Sequence, residues 1–312
     1  MITVDDIKKA HIRIKPYIHM TPVLRSASLD EISHSKLYFK CENFQKSGSF
    51  KIRGASNAVL QLSKKDLSRG VVTASSGNHG AALSLIVKKL GGVVKVVMPN
   101  NTPKVKVNNV QRNGGEVIWC KPNQDSRDET LVKLMEDTGS VLVHPYDDKR
   151  IIIGQGTTAL ELLSKHPDLE IIIVPISGGG LLAGTLSYLK NKNKNIKVYG
   201  AEPLMADDAF RSLKNGKIET NESTNTICDA LRAQIGNVTF PIISKYVDGI
   251  ITVSEEDIIY TMKLIWERLK IIIEPSCSIV LASVLKNKNI FNGKKIGLIL
   301  SGGNVDLDQL PW

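Results

Sequence analysis

The stretch Ile171-Ile172-Ile173-Val174-Pro175-Ile176-Ser177-Gly178-Gly179-Gly180-Leu181 decides the fold class of this 312-residue chain. Its first six residues are continuously apolar, which is typical of a strand in a parallel sheet that is covered on both faces. The three glycines that follow let the backbone approach a ligand closely. A helix beginning at Gly180 would direct its positive N-terminal end toward that turn, as helices do at phosphate sites. The stretch therefore predicts an α/β fold with an anion site at a strand end.

Short β-branched runs alternate with amphipathic stretches along most of the chain. Because helical stretches of about 10–15 residues separate most of the runs, we predict parallel strands with helices on both faces. The predicted fold has two open, twisted, mostly parallel sheets flanked by helices. The predicted strands are Lys36–Cys41, Val71–Ala74, Val93–Met98, Glu116–Trp119, Val141–His144, Ile171–Ile176, Lys197–Ala201 and Lys295–Leu300. The predicted helices include Ser49–Leu62, Asn78–Leu90, Asp125–Asp137, Ile153–Ser164 and Gly180–Lys190.

The spacing of these runs predicts two domains. Residues 70–146 hold four strand–helix units in close succession and would form a small, mobile domain with its own sheet. Residues 1–69 and 147–312 would form the larger domain. A cleft between two such domains is the natural place for a small ligand.

Composition and charge narrow the class of protein. The net charge is +10, but the lysines are scattered through Asn/Lys-rich stretches at residues 190–197 and 286–295 with no interleaved aromatic pattern. We therefore expect no nucleic-acid partner. The N-terminus lacks an apolar signal core and no apolar run approaches transmembrane length, so we expect a cytoplasmic protein without membrane association. Four dispersed cysteines favour a reducing compartment over disulfides or a zinc site: Cys41, Cys120, Cys228 and Cys277.

The segment Ser47-Gly48-Ser49-Phe50-Lys51-Ile52-Arg53-Gly54 places a lysine in the first turn of a predicted helix. The positive end of a helix and burial both favour the neutral amine of Lys51. A neutral lysine amine can attack a carbonyl and form a Schiff base. The alternative for this segment alone is an ordinary surface lysine.

Two further polar turns follow predicted strands. Ser75-Ser76-Gly77-Asn78-His79-Gly80 combines backbone N–H groups with side-chain donors, which predicts a small-anion site, and the alternative is an N-capping turn. Ser301-Gly302-Gly303-Asn304 places a hydroxyl at another strand end, where many tight turns have similar sequences.

The glycine-rich stretch also permits a different cofactor. Gly178-x-Gly180-x-x-Ala183, with Glu202 at the end of the next strand, fits the dinucleotide fingerprint of a nicotinamide-dependent oxidoreductase. That interpretation leaves the segments around Lys51 and Ser301 without a role. A second alternative is a non-catalytic protein that binds an amino acid in the same cleft.

Taken together, five motifs resemble the fold-type II pyridoxal-phosphate (PLP) enzymes, which share the fold of the tryptophan synthase β-subunit and include serine racemases and serine/threonine dehydratases. In chain order they are FQKSGSFKIRGA (44–55), SSGNHG (75–80), GQGT (154–157), SGGGLLAG (177–184) and SGGNVD (301–306). KAHIRI (9–14), IHMTPVLRS (18–26) and WERLKIIIEPS (266–276) are most similar to the racemases of that family. The resemblance implies PLP-dependent interconversion of L- and D-serine, with β-elimination of serine and threonine to a 2-oxo acid and ammonia. A dedicated L-serine/L-threonine dehydratase is the alternative within the family.

The resemblance also implies roles for individual residues. Lys51 would carry the cofactor and act as a base on one face of the substrate, and Ser76 would act as acid and base on the opposite face. A serine at the ring nitrogen, rather than a carboxylate, suits racemisation and elimination better than transamination. The implied cofactor-binding residues are Phe50, Lys51, Asn78, Ser177, Gly178, Gly179, Gly180, Leu181 and Ser301. The implied substrate-binding residues are Ser75, Ser76, Asn78, His79 and Arg127, and the alternative for Arg127 is a solvated helix charge.

A divalent-cation site and a dimer are further implications of the resemblance. Glu202, the carbonyl of Ala206 and Asp208 would hold Mg²⁺, or Mn²⁺ or Ca²⁺, in an oxygen shell. The alternative is an acidic helix start. A homodimer with ATP as a candidate allosteric activator is also implied, although Ala81 and Asn113 differ from the nucleotide-binding residues of mammalian members. Residues 228–230 read Cys-Asp-Ala where many relatives have Ala-Asp-Gly, which leaves substrate preference open.

Overall fold

The computed structural model describes residues 2–75, 77–190 and 195–312. Ser76 therefore lies outside the described residues. The strands are β1 Val23–Leu24, β2 Lys36–Cys41, β3 Val71–Ala74, β4 Val94–Pro99, β5 Glu116–Cys120, β6 Val141–Leu142, β7 Ile171–Pro175, β8 Lys197–Pro203, β9 Gly249–Val253 and β10 Lys295–Leu300. The helices are α1 Val4–Ile14, α2 Ala27–Ser33, α3 Lys51–Val59, α4 Lys64–Ser68, α5 Asn78–Lys89, α6 Lys104–Arg112, α7 Gln124–Thr138, α8 Lys149–Lys165, α9 Gly180–Leu189, α10 Asp208–Asn215, α11 Phe240–Tyr246, α12 Glu255–Leu269, α13 Pro275–Lys286 and α14 Lys288–Phe291.

The larger sheet has the strand order β1-β2-β10-β7-β8-β9, and only the short β1 runs antiparallel to its neighbour. Alternate residues of a strand point to opposite faces. Accordingly, Ile171 and Ile173 pack in a core with α12 and α13, whereas Ile172 and Val174 pack in a second core with α8 and α9. The continuous apolar run of β7 is thus explained by burial on both faces, and the predicted fold class is confirmed.

The smaller sheet has the strand order β5-β4-β3-β6, and all of its strands are parallel. Every strand in it comes from residues 71–142. Helices α3, α5 and α6 cover one face, and α7 covers the other. We refer to residues 70–146 as the small body and to the rest of the chain as the large body. That the small body moves as a domain stays a prediction.

Close helix packing positions the two segments that matter most for the site. A Cβ added to Gly154 of α8 would lie 2.6 Å from the Cα of Gly54 in α3. Gly184 of α9 approaches the backbone of α8 as closely. The GQGT motif therefore lets α3 and α9 both lie directly against α8. Because Lys51 begins α3 and the glycine-rich turn begins α9, this packing fixes their separation.

The structure bears on the predictions about cysteines and membranes. All four cysteines are buried free thiols, in agreement with the prediction of free cysteines rather than disulfides. Among the described residues, no helix combines the length and apolarity needed to cross a bilayer. The predicted β-strand at 141–144 is shorter than expected, and β9 was not predicted.

Candidate active site

Lys51 is the first residue of α3, and its side chain is half-buried. Its Nζ donates a hydrogen bond to the carbonyl oxygen of Pro145 at 2.9 Å and lies 5.2 Å from the centre of the Phe50 ring. Burial lowers the pKa of Lys51 to about 8, although the nearby Glu274 opposes the change. An amine with this pKa is partly neutral near physiological pH and can act as a nucleophile or a base.

A buried ion network lies beneath Lys51 and anchors α3. The fully buried guanidinium of Arg53 contacts Glu42 at 2.6 Å and Glu161 at 2.7 Å, and Lys40 contacts Glu161 at 2.7 Å. Two positive and two negative groups thus satisfy one another away from water. The network fixes the first turn of α3, and with it the direction of the Lys51 side chain.

Ser301 lies beside this turn because the chain brings the end of β10 to the start of α3. The backbone N–H of Phe50 donates to the carbonyl of Ser301 at 3.0 Å, and Ser49 pairs with Gly302. The Oγ of Ser301 is 3.4 Å from the thiol of Cys277. Burial raises the pKa of that thiol, so it remains protonated. Ser301 therefore presents a hydroxyl whose side-chain partner is neutral.

Asn78 is held between two residues of the large body. Its Nδ2 donates to both carboxylate oxygens of Glu274, at 2.8 and 3.1 Å, and its Oδ1 accepts from Asn304 at 2.8 Å. Burial raises the pKa of Glu274 to about 7, and Lys106 opposes this change. Glu274 also contacts the Cα side of Gly302, because a Cβ there would lie 2.7 Å from its Oε1. Asn78 and the Ser301 turn thus share one wall of the site.

The glycine-rich turn forms another wall. Gly179 adopts a φ of +88°, which favours glycine, and α9 begins at the next residue without a capping side chain. The first N–H groups of α9 are therefore available to an anion. The ring of Tyr146 lies directly against Gly178, where an added Cβ would overlap it. Since Lys51 bonds to Pro145, the Pro145–Tyr146 segment connects the lysine with the turn.

A cleft of about 700 Å³ adjoins this segment between the small and large bodies. Arg127 lines it, donating from Nη2 to the carbonyl of Ala74 at 2.8 Å. Its Nε is buried and has no hydrogen-bond partner among the described residues. Arg127 is thus partly buried against the end of β3, and its role in substrate binding stays a prediction.

The remaining predicted substrate residues have local partners. Ser75 Oγ accepts from the backbone N–H groups of Gly77 and Gly80 at 3.3 and 3.1 Å, which is the capping role considered for this turn. His79 is buried with Nε2 3.2 Å from the carbonyl of Val143. Burial lowers the pKa of His79 to about 3, so its ring is neutral.

Comparison with known proteins identifies the family. Residues 14–302 match the family described as pyridoxal-phosphate dependent enzyme. The chain belongs to this family. It is 52% identical over 309 residues to a serine racemase of Arabidopsis thaliana, covering 97% of this chain and 93% of the relative. It is 44% identical to a beta-hydroxyaspartate dehydratase of Paracoccus denitrificans, covering 99% and 98%. The solved structure of maize serine racemase aligns with a TM-score of 0.96 and 47% identity, covering 98% of this chain and 94% of that chain.

The side chains of the site fit the cofactor of this family. Lys51 offers an amine with a lowered pKa, and the uncapped start of α9 offers backbone N–H groups for a phosphate. Ser301 offers a hydroxyl for the ring nitrogen. The nicotinamide alternative loses its support, because both oxygens of Glu202 accept N–H groups of α10, from Ala209 at 3.1 Å and Phe210 at 2.8 Å.

The predicted cation site consists of two buried carboxylates, Glu202 and Asp208, beside the buried Ala206. Burial raises the pKa of Glu202 well above its usual range, helped by Asp208, and burial raises the pKa of Asp208 to about 6. In the described part of the chain neither carboxylate forms an ion pair, and no cluster of three or more metal-ligating side chains occurs. Two adjacent buried carboxylates that lack a cationic partner fit a divalent cation held by both of them and a backbone carbonyl, because the cation would stabilise their ionised forms. Glu202 also caps α10 through its hydrogen bonds to backbone N–H groups. The same contacts therefore agree with the alternative, in which these acids only stabilise the start of a helix.

Several residues of the site were missed by the sequence reasoning. Glu274 had a usable signal, since it is the one acid between the apolar run Ile271–Ile273 and a proline. Glu274 and Asn304 lay inside quoted motifs but had no assigned role, and Tyr146 lay outside the quoted motifs. Lys106 gave no signal, because its partners lie more than a hundred residues away in the sequence.

Proposed function

We propose that this chain uses PLP to interconvert L- and D-serine and also eliminates water from serine and threonine to give a 2-oxo acid and ammonia. The observation that carries the proposal is the pairing of Lys51, an amine with a pKa of about 8, with Ser301, a hydroxyl beside a protonated thiol. A neutral partner for the ring nitrogen favours rapid reprotonation of the substrate Cα, or loss of the β-substituent, over transamination. The serine racemase relatives, similar over nearly the whole chain, support the same substrate.

The cofactor, when bound, would draw electron density from the Cα of the amino acid and so acidify its hydrogen. The neutral Nζ of Lys51 accepts the Cα proton on its own face of the substrate. Ser76, which we propose as the acid and base of the opposite face, returns a proton there and inverts the centre. If the β-hydroxyl instead takes up a proton and leaves as water, a Cα=Cβ double bond forms. The enamine that is released tautomerises to an imine, and hydrolysis of its C=N bond gives the 2-oxo acid and ammonia.

Substrate binding is assigned to the N-terminal turn of α5 and to Arg127. We propose that Ser75, Ser76, Asn78 and His79 receive the substrate carboxylate. Because His79 is neutral, it would donate a hydrogen bond rather than a charge. Arg127 lines the cleft with a buried, unpartnered Nε and would supply the positive charge as the small body closes.

The decisive experiment is a chiral amino-acid assay run beside a pyruvate assay on L-serine. Ser76→Ala should lose D-serine formation from L-serine while it retains pyruvate formation, because only the proton donor of one face is removed. Lys51→Ala should lose both activities. D-serine formation by Ser76→Ala at the unmodified rate would contradict the assignment of Ser76, and turnover by Lys51→Ala would contradict the proposal as a whole.

A dedicated dehydratase is the second candidate, favoured by the 44% identity to a beta-hydroxyaspartate dehydratase. The same paired assay separates the two functions. Pyruvate without D-serine from the unmodified protein would identify a dehydratase, and both products would identify the racemase.

Further parts of the proposal concern regulation and assembly. We propose that Glu202, Asp208 and the Ala206 carbonyl hold Mg²⁺, or Mn²⁺ or Ca²⁺, which stabilises the start of α10. We also propose a cytoplasmic homodimer, to be checked by sedimentation. ATP as an allosteric activator stays a prediction of the resemblance, to be checked by titrating ATP at sub-saturating L-serine.

A further inference from the structure

Lys106 forms an ion pair between the small and large bodies. It lies on α6 of the small body, and its side chain is only 7% exposed. Its Nζ is 3.0 Å from Oδ2 of Asp229 and 3.6 Å from Oε2 of Glu274, both of which belong to the large body. A lysine buried this deeply is retained in a fold when its charge is paired.

The same contacts connect Lys106 with the wall of the active site. Glu274 accepts two hydrogen bonds from Nδ2 of Asn78, which is the first residue of α5 in the small body. Glu274, a residue of the large body, therefore receives both Lys106 and Asn78 from the small body. The stem of Lys106 also lies over Gly77, where an added Cβ would meet its Cδ at 3.4 Å.

The charges explain why Lys106 matters at this position. Burial raises the pKa of Glu274, Lys106 opposes this change, and the nearby carboxylate of Asp229 adds to it. Oδ1 of Asp229 is buried without a hydrogen-bond partner among the described residues. Without the ammonium, the two carboxylates would repel each other across a poorly solvated space. The carboxylate that holds Asn78 would then lose its fixed orientation.

We propose that Lys106 is a positioning residue that holds the small body closed against the large one and keeps Glu274 directed at Asn78. It acts through these two residues, and the geometry gives it no contact with the reacting atoms. The inference rests on the proposed function only where serine turnover serves as a readout. Closure of the two bodies can be measured without turnover.

The test compares Lys106→Met with Lys104→Met in the holoenzyme. Lys104 lies on the same helix but is exposed, so its variant controls for the loss of a lysine from α6. Lys106→Met should raise KM for L-serine about tenfold, equivalent to about 1.4 kcal/mol, with a smaller fall in kcat. Hydrogen exchange should accelerate in the small body around residues 77–80 and 104–112, while α12 keeps its protection. Lys106→Arg should restore most of both properties, since it keeps the charge.

Asp229→Asn provides a second variant that weakens the same pair from the large body. It should raise KM and small-body exchange in the same direction by a smaller factor. If Lys106→Met folds and behaves like Lys104→Met in both measurements, the proposal is overturned. Unaltered exchange in Asp229→Asn overturns it even if Lys106→Met cannot be purified. Because exchange does not depend on the reaction, an enzyme that turns over no serine would refute the proposed function while leaving this test intact.

Discussion

Replacing Lys51 by methionine should abolish activity and yet stabilise the cofactor-free protein at pH 7. The reason is that α3 begins at Lys51 and the fold partly withdraws the ammonium from water. In the unfolded chain the same ammonium is fully solvated. Methionine has a similar length and places no charge in the pocket.

The magnitude follows from the lowered pKa. Lys51 titrates at about 8 in the folded protein against 10.5 in a solvated lysine, a difference that corresponds to about 3 kcal/mol. This is an upper value because the side chain keeps some contact with water. Below pH 8 Lys51 is protonated in both the folded and the unfolded state, so the cost of burying its ammonium destabilises the folded wild-type protein in full. Between pH 8 and 10.5 the unfolded state binds more protons, so wild-type stability rises with pH and the gap shrinks to about 1 kcal/mol near pH 10.

Urea denaturation of the cofactor-free proteins at pH 7 and pH 10 measures this gap. Lys64→Met, which removes an exposed lysine, should match the wild type at both pH values. The reasoning would be refuted if Lys51→Met were no more stable than the wild type at pH 7, or if its advantage persisted unchanged at pH 10.

Three further perturbations test other parts of the site. Gly178→Ala introduces a Cβ that overlaps the ring of Tyr146, so PLP affinity measured by fluorescence titration should fall at least tenfold. Removal of divalent cations by EDTA should lower the Tm of the wild-type protein, magnesium should restore it, and Asp208→Asn should lose this response because one of two carboxylate ligands is gone. Arg53→Met leaves two carboxylates buried without their main partner, so the free energy of unfolding in urea should fall by about 3–5 kcal/mol.

Each of these perturbations has a control in the same chain. Gly249→Ala has room for its Cβ and should bind PLP normally. Asp207→Asn should keep the response to magnesium, and Arg150→Met, at a partly exposed ion pair, should change stability by about 1 kcal/mol or less. Unaltered PLP affinity in Gly178→Ala would argue against the turn as the phosphate site. An EDTA-insensitive wild type would leave Glu202 with a helix-capping role only and Asp208 as an acceptor for the N–H of Ile235.

Local sequence signals predicted the parts of the site that lie at strand ends. The apolar run Ile171–Ile176 predicts a strand buried on two faces, and the glycines after it predict the turn that follows. Both features are readable because burial and chain reversal each require a particular composition in adjacent residues. The same holds for Ser301 after β10. Since parallel strands place their carboxyl ends at one edge of a sheet, such turns converge without further information.

Pairs that form across the chain left no comparable signal. Lys106 resembles any lysine of a polar helix, and nothing near it in the sequence indicates Asp229 or Glu274. Strand β9 was missed because it is a short edge strand with an irregular burial pattern. The capping role of Ser75 depends on hydrogen bonds that compete with substrate binding, and only coordinates distinguish the two uses.

The position of β10 at the centre of the larger sheet also governs the order in which the molecule is completed during synthesis. This strand pairs with β2 and β7. In the sequence β7 precedes it by more than a hundred residues and β2 by more than two hundred. The four-stranded sheet, in contrast, is contiguous in the chain and can form on the ribosome as soon as residue 142 emerges. Ser301 meets the turn before Lys51 only after β10 has been synthesised and has paired with β2 and β7. A nascent chain therefore carries Lys51 without Ser301 beside it until β10 is in place, so the candidate cofactor site is assembled only when the larger sheet is complete.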